Sequence, residues 1–202
     1  MSAPTLILAS QSASRRAMLT AAGIPHEAVA AQVDEDAAKA SFTARGLSPR
    51  DTADALAELK AAKVATLAGP APLVLGCDSI VALADGTLLD KPRDRDDAAA
   101  HLAAMSGATH DLWSAAVIHE AGRPVWRHVE RARMTMRPLS GAFIDAYLDA
   151  EWPAISGCVG CYRIEGSGVQ LFARIEGSHF TILGLPLLPL AAYLRERKIL
   201  PS

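Results

Sequence analysis

Apolar residues along this chain occur either as short unbroken runs or as helically spaced sets, and the two kinds interleave. Leu6 to Ala9 is an unbroken run and predicts a short buried strand. Behind it, Ser10 to Ser14 offer hydroxyl caps for a helix that carries Arg15, Arg16, Met18 and Leu19 and stops at Gly23. A strand is predicted near Glu27 to Val33, closing on the acidic cluster Asp34-Glu35-Asp36. Residues 37–50 are polar and read as a loop. Ser48-Pro49 then starts a helix in which Ala53, Leu56, Leu59, Ala62 and Val64 keep approximately helical spacing; it carries Lys60 and Lys63. Leu73 to Gly76 is a second short apolar run, again followed by an acid, Asp78. Ile80 to Ala84 and Thr87 to Leu89 read as a hairpin around Asp85-Gly86, a pair suited to the positive φ angles of a tight turn. A helix over 94–105 follows, ended by Ser106-Gly107. Two longer strands at 111–119 and 124–136 and a helix at 140–150 come next. A hairpin over 158–175, with Gly166-Ser167-Gly168 at its tip, and a helix from Leu187 to Arg197 close the chain.

Interleaved strands and helices predict an α/β fold, and the hairpins argue for a mixed rather than a purely parallel sheet. A chain of 202 residues can bury its core as one large domain or as two small lobes. It is 50% hydrophobic and 21% charged, which places it among folded globular proteins. The net charge of -2 gives no general basic field, so an anionic ligand must be met by locally placed cations. Arg127, Arg131, Arg133 and Arg137 share one face of an extended strand, but no aromatic residues suited to stacking bases lie between them. That face reads as a solvated or dimer surface, and no nucleic-acid partner is expected.

Cys77, Cys158 and Cys161 make an odd count, as in a reducing compartment, and the single C-x-x-C has no second to complete a zinc site. The first apolar run is too short for a signal peptide, and the stretch 183–194 is interrupted by Pro186 and Pro189. A cytoplasmic protein with no membrane partner is the expectation. His101, His110 and His179 lack zinc-ligand spacing, and Trp113, Trp126 and Trp152 read as core or interface residues.

Polar groups that follow the short strands carry the candidate chemistry. Ser10-Gln11-Ser12-Ala13-Ser14-Arg15-Arg16 joins hydroxyls and an arginine fork to a helix N-terminus, whose free amides favour an anion. Asp34, Glu35, Asp36 and Asp78 supply the hard oxygens a magnesium ion takes beside phosphates and water. Lys60, and Lys91 within Asp90-Lys91-Pro92, are point charges suited to phosphate oxygens. Together these compose a triphosphate site, and by themselves they fit a kinase, a phosphatase or a binding module equally well.

The order of short strings narrows the choice. Leu-Ala-Ser-Gln-Ser-x-x-Arg stands at 8–15, Val-Asp-Glu at 33–35, Leu-x-x-x-Lys-Ala at 56–61 and Gly-Cys-Asp-Ser at 76–79. Lys-Pro-Arg-Asp follows at 91–94, and Leu-x-x-Met-Ser-Gly-x-x-His at 102–110. Gly-x-Tyr-x-Ile-Glu-Gly stands at 160–166, Ile-Glu-Gly-Ser at 175–178 and Gly-Leu-Pro-Leu at 184–187. In this order they resemble the Maf family of nucleotide pyrophosphatases over nearly the whole chain. The resemblance implies a single Maf/ITPase-like domain over 1–202, with a mixed twisted sheet flanked by helices, two lobes with a cleft, and often a homodimer. It implies hydrolysis of a nucleoside triphosphate to monophosphate and pyrophosphate, assisted by Mg²⁺ or Mn²⁺. By position, Asp78 would be the catalytic acid/base acting on water or, alternatively, mainly a metal ligand, and Asp34, Glu35 and Asp78 the metal neighbours. Arg15, Lys60 and Lys91 would meet the phosphates with the hydroxyls of Ser10 and Ser12. The link of such proteins to septum formation leaves a non-catalytic nucleotide-binding regulator as the alternative.

Three positions depart from the common pattern: Ser14 where an arginine is usual, Ser79 for threonine and Glu165 for glutamine. These are where the branches of the family differ in base choice. Arg, Thr and Gln accompany dTTP and UTP; Glu165 and the absent arginine resemble the branch acting on 7-methyl-GTP. A carboxylate can accept from both N1–H and the exocyclic amine of guanine, and gains further from the positive charge of the 7-methyl form. A modified guanine or a broader nucleotide substrate is therefore expected over plain dTTP, although Ser79 does not clearly match the 7-methyl-GTP branch.

Overall fold

The computed structural model describes residues 6–69 and 72–201. The chain divides into two compact units, one built from the residues up to Ser79, Ser114–Glu130 and those from Gly184 on, the other from Ile80–Trp113 and Arg131–Leu183. The strands form a seven-stranded sheet in the order β2-β1-β3-β5-β6-β7, with β4 on β3. They are β1 (Leu6–Leu8), β2 (His26–Ala28), β3 (Leu73–Ala82), β4 (Leu88–Leu89), β5 (Thr109–Glu120), β6 (Arg123–Met136) and β7 (Phe172–Glu176). β1 runs parallel to β2 and β3, whereas β4 is antiparallel to β3 and β7 to β6. The expected mixed α/β sheet is present.

In the first unit β1 is buried along its whole length, as a strand flanked by parallel neighbours must be. Helix α1 (Ala13–Ala21) follows it, and Ser12 caps its N-terminus by accepting from the Arg15 amide. β2 is shorter than the predicted 27–33 and starts one residue earlier. The polar stretch read as a loop is largely helix α2 (Glu35–Ala44). Asp34 caps it, Oδ1 accepting from Ala37 N at 2.9 Å, and Glu35 and Asp36 favour its dipole. No residue of α2 is buried, so it carries no apolar period to announce it.

Helix α3 (Pro49–Ala68) begins where Ser48-Pro49 predicted. Its buried stripe is Ala53, Leu56, Ala57, Lys60, Ala61, Val64 and Ala65, while Leu59 is turned outward. Ala57 and Ala61 in this stripe are small where α3 presses on β3 at Gly76. A Cβ there would run into the Ala57 carbonyl oxygen and come within 2.6 Å of Ala61 N. This close approach lets the Lys60 side chain reach the strand.

β3 continues without a break through the two runs the sequence separates, its residues up to Ser79 belonging to the first unit and those from Ile80 to the second, and the hairpin to β4 pairs Val81 with Leu89 and Ala82 with Leu88. In its turn only Gly86 takes a positive φ; Asp85 instead accepts from the Thr87 amide. Helices α4 (Arg95–Met105) and α5 (Gly141–Glu151) cover a core that includes Leu102, Met105, Leu112, Met134, Leu148 and Leu171. The predicted hairpin over 158–175 is absent. Turns lead into a 3-10 helix at Ser167–Leu171, and only Phe172–Glu176 is strand, paired with β6. Gly168 is the reason: a Cβ there would come 2.5 Å from the Arg163 carbonyl oxygen, so this glycine serves a tight inward turn. Two helices close the order, the short α6 (His179–Ile182), which the sequence pattern did not announce, and α7 (Leu187–Glu196).

Candidate active site

The first unit assembles two polar groups from the end of β1, the interiors of β3 and β5, the turn at Gly184 and the helices α1, α2 and α3. In the first, the Arg15 guanidinium is held on three internal acceptors. Nε donates to Gly184 O at 2.7 Å, Nη2 to Ser79 Oγ at 3.0 Å and Nη1 to Ser10 Oγ at 3.4 Å. Ser10 Oγ also accepts from Ser12 N, and Ser79 Oγ lies 2.9 Å from Ser114 Oγ. Gly184 has φ +96°, and a Cβ on it would stand 3.2 Å from Arg15 Nε, Arg15 Nη2 and Ser79 Oγ alike. A guanidinium carries five N–H donors, so two have no acceptor among the described residues.

The second group centres on Lys60. Its Nζ lies 2.5 Å from Asp78 Oδ1 and 2.9 Å from Glu35 Oε1. Lys60 and Asp78 are both buried, at 6% and 4% exposure. The other oxygen, Asp78 Oδ2, is buried with no hydrogen-bond partner among the described residues. Burial pushes the neighbouring Cys77 thiol up to about 11, so it stays protonated and is no nucleophile.

Of the three acids expected around a metal, the structure brings Glu35 and Asp78 onto one ammonium, while Asp34 is exposed and caps α2 with Oδ1. Among the described residues no three His, Cys, Asp or Glu side chains gather as a metal-holding group, and a lysine stands where the two carboxylates converge. Two carboxylates, one of them with an orphaned buried oxygen, nevertheless fit a magnesium-type ion, which takes one or two carboxylates and completes its shell with phosphate and water.

Lys91 and Glu165 belong to the second unit, and both are exposed. Glu165 lies in turns rather than on a hairpin tip. Beside it a clamp fixes the chain: Glu151 accepts from Arg163 Nη2 at 2.7 Å and from Ser167 Oγ at 2.5 Å, and these bonds hold its carboxyl below the usual range. Ser14 sits within α1, half-buried. Cys161 is buried with its thiol pushed up to about 12 by burial, and Sγ lies 3.6 Å from His101 Nδ1. His110 is buried, its Nε2 3.0 Å from Tyr162 Oη, and burial lowers it to about 4.

The arginine face is solvated, with Arg127, Arg131 and Arg133 exposed, and three of its members also make contacts within the chain. Arg127 bonds Asp54 and Glu58, Arg131 pairs with Asp111 over Trp113, and Arg137 lies over Phe143 and donates to Gln170 O. Arg137 also falls just past the end of β6, outside the strand alternation. Among the described residues no helix is long and apolar enough to cross a membrane. Sequence reasoning gave no part to Ser114 or Gly184. Gly184 stands in a quoted string, but its contact with Arg15 spans 169 positions and no spacing signals it.

Fold and site together define a mixed-sheet α/β protein with a hydroxyl-framed arginine and a buried lysine–carboxylate pair. The profile of the Maf-like protein family matches residues 5–197, and the chain belongs to that family. A nucleoside triphosphate pyrophosphatase of Sphingopyxis alaskensis is 51% identical over 98% of this chain and 100% of its own length. Nucleoside triphosphate pyrophosphatase 1 of Jannaschia sp. is 54% identical over 95% of this chain and 96% of that protein. A solved nucleoside-triphosphatase / dITP/XTP pyrophosphatase of Mycobacterium abscessus covers 98% of both chains at 16% identity and a TM-score of 0.44, a likeness too distant to carry an argument.

Proposed function

We propose that this chain, acting over residues 1–202 as one domain, hydrolyses nucleoside triphosphates to monophosphate and pyrophosphate with a divalent cation, Mg²⁺ or Mn²⁺. Its support from relatives is the name shared by proteins about half identical along their whole lengths. The observation that carries the chemistry is Asp78, with Oδ1 fixed by Lys60 and Oδ2 buried and unpartnered. A carboxylate so oriented is ready to accept a proton from water.

In this reading Arg15 presents its two remaining donors, with the Ser10 and Ser12 hydroxyls, to the phosphates; Lys60 adds charge, and Lys91 is assigned by family position. Water forms a bond to the α-phosphorus and passes its proton to Asp78. The bond from the α-phosphorus to the oxygen bridging to the β-phosphate breaks, and pyrophosphate leaves. Glu35, with Asp34 at the head of α2, would hold the cation, which supplies neutralisation of the charge developing on the phosphoryl oxygens; in the alternative role Asp78 Oδ2 would hold the cation in place of taking the proton.

For the base, the reading favours guanine in its 7-methylated form. The exposed Glu165 carboxylate is available to a donor pair, and the chain lacks an arginine at Ser14. Ser79, the third position, is turned to Arg15. A dTTP/UTP enzyme is the alternative. A cytoplasmic homodimer completes the proposal, in keeping with three free cysteines.

A panel of canonical and modified triphosphates, with Mg²⁺ or Mn²⁺ and products resolved, tests the reading. Pyrophosphate is the expected first product, and inorganic phosphate in its place would eliminate α–β cleavage. Glu165→Gln should move the ranking toward pyrimidines, and an unchanged ranking removes Glu165 from base recognition. Tight nucleotide binding without any product would favour the septum-regulator alternative.

A further inference from the structure

Arg15 is anchored through Ser79, and Ser79 is itself anchored. A hydroxyl rotor offers two lone pairs and one hydrogen, and left alone it samples all its staggered positions. Here Ser79 Oγ accepts from Arg15 Nη2 at 3.0 Å and shares a hydrogen bond of 2.9 Å with Ser114 Oγ. Ser114, on β5, is fully buried at 0% exposure, so no ligand reaches it. With Nε on Gly184 O and Nη2 on Ser79 Oγ, the guanidinium plane is fixed at two points before any substrate arrives. Pre-set donors lose less conformational freedom on binding, which raises affinity without a new contact.

We propose that Ser114 is a positioning residue for Arg15: its bond to the Ser79 hydroxyl holds that rotor so that a lone pair faces Nη2, and the fork keeps its free donors toward a polyphosphate. The ligand class rests on the reading of Arg15 as a phosphate contact, but the positioning stands on the hydrogen bonds alone.

Two measurements separate these layers. In ¹⁵N-labelled protein the Arg15 Nε–H resonance, assigned by its loss in Arg15→Lys, is expected to be sharp in the parent, broadened in Ser114→Ala and restored in Ser114→Thr. A resonance unchanged by Ser114→Ala overturns the proposal whatever the protein binds. Calorimetry with tripolyphosphate is the second. Ser114→Ala is expected to weaken binding about threefold to tenfold, the worth of one neutral hydrogen bond, and to add no further loss in an Arg15→Ala background. An equal loss in both backgrounds would mean general damage and also overturns it. If the resonance responds but tripolyphosphate does not bind the parent, the phosphate reading fails and the positioning survives.

Discussion

Lys60 and Asp78 form a buried ion pair in which one ammonium also serves Glu35, at 2.9 Å. Two charges taken out of water are tolerated only while each compensates the other. Helix α3 delivers the lysine and β3 the acid, and the close approach at Gly76 sets the distance between them.

Lys60→Met leaves Asp78 buried and uncompensated, so the free energy of unfolding should fall by about 3–5 kcal/mol. Asp78→Asn should lower pyrophosphate release by roughly 10²–10⁴-fold, the span of general acid–base contributions. The double variant should regain part of the stability lost by Lys60→Met and none of the activity. Denaturant titration beside a pyrophosphate assay reads both, and a Lys60→Met protein as stable as the parent would contradict the electrostatic account.

Gly184→Ala puts a methyl group 3.2 Å from two Arg15 nitrogens and from Ser79 Oγ, at a φ of +96° that alanine adopts poorly. Strain of this kind costs on the order of 1–3 kcal/mol. The substitution should also raise KM for the nucleotide, because Arg15 must shift to make room. Steady-state kinetics with a thermal melt checks it, and an unchanged KM would show that the guanidinium has slack.

Much of this was legible along the chain because period and punctuation were strong where burial was strong. Leu6–Leu8, α3 with its Ser48-Pro49 start and the β5–β6 pair all follow that rule. Helix α2 was not legible, since it buries nothing and is held by a cap and its dipole. Gly166 and Gly168 were misread because a glycine in an open hairpin tip and one pressed on Arg163 leave the same letter in the sequence. Asp78, Lys60 and Arg15 could be named from their strings, but the sharing of Lys60 between two carboxylates, and the Ser114–Ser79–Arg15 chain, are tertiary facts.

Gly76→Ala tests the packing that brings α3 to β3. The new Cβ would overlap the Ala57 carbonyl oxygen and crowd Ala61 N, and helix backbone cannot swing aside as a side chain can. Overpacking of a core costs about 1–3 kcal/mol and sometimes more, and this site lies toward the upper end. The variant should be less stable by at least that amount, and any folded fraction should lose activity because Lys60 withdraws from Asp78. Parent-like stability in denaturant would refute the close approach.

His110 is expected to make the fold sensitive to acid. It is buried against Tyr162 and Phe172, and desolvation lowers it to about 4 from the ordinary 6.5, with Asp111 opposing the shift. In the unfolded chain the imidazole takes a proton near 6.5, and in the folded chain only near 4. Between these values the unfolded state binds more protons, so acid favours unfolding. The stability contributed is fully present above 6.5 and is lost progressively as pH falls toward 4, with a ceiling on the order of 3 kcal/mol. His119 is shifted down as well, again first by burial, and adds in the same direction. His110→Gln, which keeps a hydrogen-bonding group for Tyr162 but does not titrate, should flatten the fall in unfolding free energy between pH 6.5 and 4 while leaving part of it to His119. Denaturant curves at pH 7, 5.5 and 4.5 measure the slope, and an identical slope in parent and variant would assign the acid sensitivity to other groups.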